Sequence, residues 1–153
     1  MKDKFGEYIQ RMPILLNELK GKPLLNRNEL TDIPKSGVYV FYREGEPLYV
    51  GRSNRLKERM QEHGRPSSDH YSATLAFNMA KEKMNYKSNG HRLAPRNDLE
   101  KAPGFKEAFF RTRKQVAEMQ VRVIEIEDQI EQAMFEIYAH LALNTKYNDF
   151  RTH

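Results

Sequence analysis

The spacing of apolar and polar positions changes several times along the chain, and each change marks an element. Val38 to Tyr42 and Leu48 to Gly51 are short runs rich in β-branched and aromatic residues, and the Gly-containing gap between them predicts a β-hairpin. With Arg43-Glu44-Gly45 as a three-residue loop, Tyr42 pairs with Glu46, Val40 with Leu48, Tyr39 with Tyr49 and Val38 with Val50. Alternation then puts Val38, Val40, Leu48 and Val50 on one face and sets the phenols of Tyr39 and Tyr49 side by side on the other. After Gly51 the period lengthens. Ser53 or Asn54 suits an N-cap, and Gly64 followed by Pro66 suits a stop, so Arg55 to His63 reads as a helix. Its core-facing stripe is Leu56, Arg59, Met60 and His63. Half of that stripe is ionisable, which fits either snorkelling side chains or a cation and an imidazole turned toward the paired phenols.

Phe5, Tyr8, Ile9 and Met12 recur at helical spacing, and Pro13 is better placed opening a second turn than inside a helix. Lys4 to Lys20 therefore reads as two short helices or one kinked helix. Tyr71 to Met84 and Gly104 to Glu118 are amphipathic helices, and Gln120 to Glu127 is a largely buried third strand. Between the two helices, Lys87 to Arg92 and Arg96 make a basic, turn-prone stretch that suits solvent or phosphate equally. Asp128 caps a last helix, Gln129 to Leu143. From Ala133 to Thr145 this segment is apolar almost all round, which predicts burial, and Glu136 is its only formally charged residue. Buried carboxylates are paired or metal-bound, and Arg59 is a candidate pair. The expected fold class is α/β of the α+β kind: a small three-stranded antiparallel sheet flanked by helices. One domain is expected, with an N-terminal helical extension (1–30), a hairpin and helix core (37–63), a long helical insertion (64–118) and a closing strand and helix (119–150).

Composition narrows the function classes. The 153 residues carry a formal net charge of +5, which suits a polyanionic partner. No apolar run approaches the ~20 residues of a membrane span. The absence of cysteine excludes disulfides and thiolate metal sites, and Met1 to Glu7 has no apolar signal core, so a cytoplasmic location is expected.

The order Gly37-Val38-Tyr39, then Tyr49-Val50-Gly51, then Arg59 ten residues after Tyr49 and His63 four after that, resembles the GIY-YIG nuclease domain. Glu136 and, twelve residues on, Asn148 keep the spacing of that family's Glu and Asn. Both triads carry Val where the family name has Ile, a change of one methyl group. The resemblance leaves out residues 1–30 and most of the insertion. It implies an endonuclease, a divalent-metal-dependent phosphodiesterase that hydrolyses DNA at a single-metal site. Glu136 would hold Mg²⁺, with Mn²⁺ as a substitute. Arg59 would neutralise the scissile phosphate, Tyr39 would act as general base, His63 would accept or relay the proton, and Tyr49 would orient water or phosphate. Asn148 would have a mainly structural role. Lys35, Arg43, Arg52, Arg55 and Lys57 are candidate nucleic-acid contacts. DNA is the expected partner, with no membrane; a homodimer or a protein partner is left open. The alternative is a non-catalytic DNA- or RNA-binding module on the same fold, and a third reading is a basic interaction domain whose matches are accidental.

Overall fold

β1 (Gly37–Arg43) is the middle strand of a three-stranded antiparallel sheet in the computed structural model, which describes residues 3–69, 73–84 and 103–150. β2 (Glu46–Ser53) pairs on one side and β3 (Gln120–Glu125) on the other, giving the order β2-β1-β3. Among the described residues there are five α-helices: α1 (Lys4–Lys20), α2 (Leu56–Gly64), α3 (Thr74–Lys83), α4 (Phe105–Ala117) and α5 (Gln129–Leu143). The expected α+β class and the strand at Gln120 are both present. The chain forms two compact units. One holds the described residues up to Glu58 and from Met119 onward; the other is Arg59–Glu118.

In the first unit, one sheet face is covered by helices. Val38, Val40, Tyr42, Val50, Ile124 and Ile126 share a core with Met12, Leu15, Leu16 and Leu19 of α1 and with Phe135 and Ala139 of α5. Fully burying one such aliphatic or aromatic side chain contributes about 1.5–3 kcal/mol, so this cluster dominates the unit's stability. Each outer edge of the sheet is met by backbone at one point: Leu25 exchanges two hydrogen bonds with Val121 on β3, and Tyr147 N donates to Leu48 O on β2.

The hairpin differs from expectation in loop and register. The loop has two residues, and both Glu44 (φ 53°) and Gly45 (φ 79°) are left-handed, as a tight hairpin whose turn follows the strand twist requires. Arg43 pairs with Glu46 and Tyr42 with Pro47, then the register shifts so that Phe41 faces Tyr49, Val40 faces Val50 and Tyr39 faces Gly51. The irregularity sits at Leu48, which has no counterpart on β1. Tyr39 and Tyr49 therefore share a face diagonally and are not directly opposed.

One alternative is resolved and two further expectations are corrected. α1 is one helix with Pro13 inside it, on the exposed side, and it packs through Met12, Leu15, Leu16 and Leu19, while Phe5 and Ile9 lie exposed. α5 buries Gln132, Phe135 and Ala139 but leaves Ile137 and Leu141 in solvent, so its apolar sequence is not matched by all-round burial. β3 ends at Glu125, although Ile126 N still donates to Ser36 O. In the second unit, Phe77 of α3 meets Phe105 and Phe109 of α4 edge-on, with ring centroids 5.3 and 5.6 Å apart. The basic stretch Lys87 to Arg92 with Arg96 lies outside the described residues.

Candidate active site

The two glycines of the triads have steric duties. A Cβ on Gly51 would fall 2.2 Å from Cζ and Oη of Tyr39, so the tip of that phenol occupies the space a side chain would need. Tyr39 is only 1% exposed and packs edge-on against Phe41, with centroids 5.6 Å apart. Tyr49 faces Phe41 across the ladder and is half-buried. A buried phenol and a solvent-reaching one thus share this sheet face.

Asn148 closes the edge of β2. Val50 and Val40 face each other across the ladder, and the Val50 peptide groups point outward from β2. Asn148 Oδ1 accepts from Val50 N at 2.8 Å and its Nδ2 donates to Val50 O at 2.8 Å, so the amide stands in for a neighbouring strand. Thr145 Oγ1 donates to Asn148 Oδ1 at 2.7 Å, and the same hydroxyl lies 2.7 Å from His140 Nδ1. Asn148→Ala is expected to cost about 1–3 kcal/mol through the lost bonds and the unpaired Val50 groups. Asn148→Asp, which keeps an acceptor but aims a second oxygen at Val50 O, should be no better. Thermal unfolding of the two variants checks this.

Glu136, on α5, is 3.9 Å from Arg52 Nε of β2, with side-chain exposures of 23% and 40%. This corrects the proposed partner: the carboxylate meets Arg52, while Arg59 pairs with Glu62 one turn along α2 at 3.2 Å. Burial pushes the Glu136 carboxyl above its ordinary range, and the more weakly acting Arg52 pulls it part of the way back. A carboxylate that has lost water without gaining a close cation has spare capacity for one. No group of three His, Asp or Glu among the described residues is placed to hold a metal ion. A hard divalent cation held by one carboxylate, water and a substrate phosphate fits this donor set.

Amides fix the approach of α5 to β2. Asn54 and Gln129 exchange two hydrogen bonds at 2.9 and 2.8 Å, and Gln132 Nε2 donates to Asn54 Oδ1 at 3.1 Å and to Ile126 O at 2.7 Å. Asp128 caps α5 through Ile130 N and Glu131 N and accepts from the Tyr8 hydroxyl at 2.7 Å. The Tyr8 hydrogen bond, foremost, holds the Asp128 carboxyl below its usual range. The sequence places Tyr8 on a helix face and offers Asn54 as an N-cap, but it does not disclose these contacts or those of Gln129 and Gln132, because a long-range partner leaves no local signature.

Of the five basic candidates, Lys35, Arg55 and Lys57 line one surface depression of about 310 Å³, with Asp32 and Glu58 on its wall. Leu56 N donates to Lys35 O, which joins the start of α2 to the approach to β1. Arg52 is engaged by Glu136. Arg43 sits at the hairpin turn, about 20 Å along β1 from Gly37, and is not part of this group. Arg59 and His63 belong to the second unit. On α2 the predicted stripe is inward-facing: Leu56, Met60 and His63 are buried and Arg59 is half-buried.

No family model matches the chain, and no curated protein matches it. Among solved structures, two point mutants of the GIY-YIG N-terminal endonuclease domain of UvrC from Thermotoga maritima, each bound to its catalytic divalent cation, are similar. Their TM-scores are 0.45 and 0.44, both are 18% identical to this chain, and each match covers 80% of this chain and 93% of that domain.

Proposed function

We propose that this protein is a metal-dependent endonuclease that hydrolyses DNA phosphodiester bonds, with Glu136 as the protein ligand of a single Mg²⁺ or Mn²⁺. The observation that carries the reading is the Glu136 carboxyl, largely buried and approached by Arg52 no closer than 3.9 Å, at the position the sequence resemblance assigns to the metal. A divalent ion there would supply Lewis-acid charge to the phosphate. Arg52, beside Glu136, is suited to hold a phosphate oxygen. By their places in the motif, Arg59 is assigned the phosphate's transition-state charge and His63 the relay of the proton that the base takes from water.

The base is reassigned. An attacking water must reach the phenol that activates it, and Tyr49 has solvent contact while Tyr39 is nearly sealed beneath its neighbours. Tyr49 is therefore the base, and Tyr39, lying over Gly51, is a positioning residue. Tyr49→Phe is expected to slow cleavage about 10²-fold or more, the usual range for a lost general base, and Tyr39→Phe much less. Single-turnover rates on one substrate check the order; equal losses would return the role to both.

The reading is tested by incubating the protein with supercoiled plasmid, branched DNA and single-stranded DNA in Mg²⁺, Mn²⁺ or EDTA, with Arg59→Ala alongside. Cleavage that needs the metal and falls in the variant supports it. The non-catalytic binding module is favoured by one observation, that Lys35, Arg55 and Lys57 gather around one surface depression that can meet phosphates with no metal. It predicts retained, salt-sensitive DNA binding with no cleavage under any metal.

A further inference from the structure

α4 lies wholly within the second unit. Phe105, Ala108, Phe109, Thr112 and Val116 are buried, and Thr112 Oγ1 donates to Ala76 O at 2.7 Å, so the helix cannot roll. Its outer side carries Lys106, Phe110 and Lys114 at intervals of four residues, about 6 Å apart along the axis. Phe110 is 42% exposed and is the one exposed large hydrophobic among the described residues of this unit. Four cations, Lys106, Arg111, Arg113 and Lys114, stand on α4 against one carboxylate, Glu107. Arg113 is committed to the fold: its guanidinium lies 4.1 Å from the Phe109 ring centroid and donates to Ser68 O. Lys114 Nζ stands 4.7 Å from the Phe110 centroid, and a depression of about 380 Å³ runs over Lys106, Glu107, Phe110, Arg111 and Arg113.

A single exposed ring is ordinary on a protein surface, and so is a basic helix. Their combination is selective. Duplex DNA offers phosphates to the cations but keeps its base faces stacked, and an acidic peptide has charge but no general use for a flat ring. An unpaired strand offers both, a π-face for stacking and phosphates on either side. We propose that the outer face of α4 binds single-stranded nucleic acid, with one base stacked on Phe110 and the flanking phosphates taken by Lys106, Lys114 and Arg111. The proposal rests on the nucleic-acid part of the functional reading and not on catalysis.

The chain contains no tryptophan, so Phe110→Trp in the full-length protein gives a single reporter at the proposed platform. In EDTA, an oligo(dT) strand is expected to quench its fluorescence, while a duplex of equal length is not. Phe110→Ala is expected to bind oligo(dT) about tenfold more weakly with duplex binding unchanged. The Lys106→Gln, Lys114→Gln double variant should lower the slope of log affinity against log salt by about 1.4. Unchanged melting of Phe110→Ala, whose ring faces outward, separates binding from folding. Wild-type oligo(dT) affinity in Phe110→Ala, or equal quenching by the duplex, overturns the proposal. If no metal supports cleavage but Phe110-dependent strand binding persists, the nuclease reading fails and this one stands; cleavage with normal strand binding by Phe110→Ala gives the reverse.

Discussion

Gly37→Ala is expected to lower the melting temperature by roughly 6–12 °C, the equivalent of about 3 kcal/mol in a chain of this size. A Cβ at Gly37 would fall 2.0 Å from the carbonyl oxygen of Ile124 and 3.1 Å from Cα of Glu125. Both are backbone atoms of β3, so no rotamer change relieves the overlap, and β1 and β3 must separate at the paired positions Gly37 and Glu125. The hydrogen bond from Ile126 N to Ser36 O, just beyond, is strained by the same separation. Because β1 is the central strand, the damage reaches the whole sheet. Gly51→Ala should be milder, since its 2.2 Å overlap is with the Tyr39 side chain, which can turn aside at the cost of its packing on Phe41. Thermal unfolding by circular dichroism reads both; a Gly37→Ala protein melting within two degrees of wild type, about 0.5–1 kcal/mol, would contradict the close approach.

Glu136→Gln is expected to abolish cleavage while leaving the protein as stable as before or more so. Burial raises the carboxyl above its ordinary value of 4.5, so the folded state binds the proton more tightly than the unfolded chain does. Stability from this group is therefore greatest below that ordinary value and declines as the pH climbs through the raised one. Glutamine removes the decline. In EDTA the variant should match wild type in acid and melt higher near neutral pH, since the Arg52 contact it gives up is long and partly exposed. Saturating Mg²⁺ or Mn²⁺ should raise the melting temperature of the wild type only. A group that lowers the stability of the metal-free fold is one whose presence stability does not explain.

Much of the architecture is legible because period and punctuation agree. The hairpin sits between a Gly-containing gap and a change of period, Asp128 caps α5 as its type predicts, and Leu56, Met60 and His63 turn inward as their spacing requires. Register was not legible. Leu48 continues the alternation in the sequence but is absorbed by a strand irregularity, and Glu44 takes a left-handed conformation that its side chain does not favour, which shortens the loop. Burial on helices misled for a related reason: apolar residues such as Phe5, Ile9, Ile137 and Leu141 mark a possible inner face, but only the elements actually packed there decide which face is used. In the candidate site, nothing in the sequence marks the Val50 peptide as the target of the Asn148 amide. The Arg52–Glu136 approach depends on Asn54 and Gln132 setting the helix against the strand, a long-range amide arrangement with no local signature.

The central claim is that Glu136 holds the metal of a phosphodiesterase, and it is tested most directly by nicking of supercoiled plasmid in Mg²⁺ by wild type and Glu136→Gln, with melting temperatures measured on the same preparations. Metal-dependent nicking is expected from the wild type, with a rate at least ~10²-fold lower in a variant that melts no lower. Nicking by the folded variant at the wild-type rate would contradict the claim.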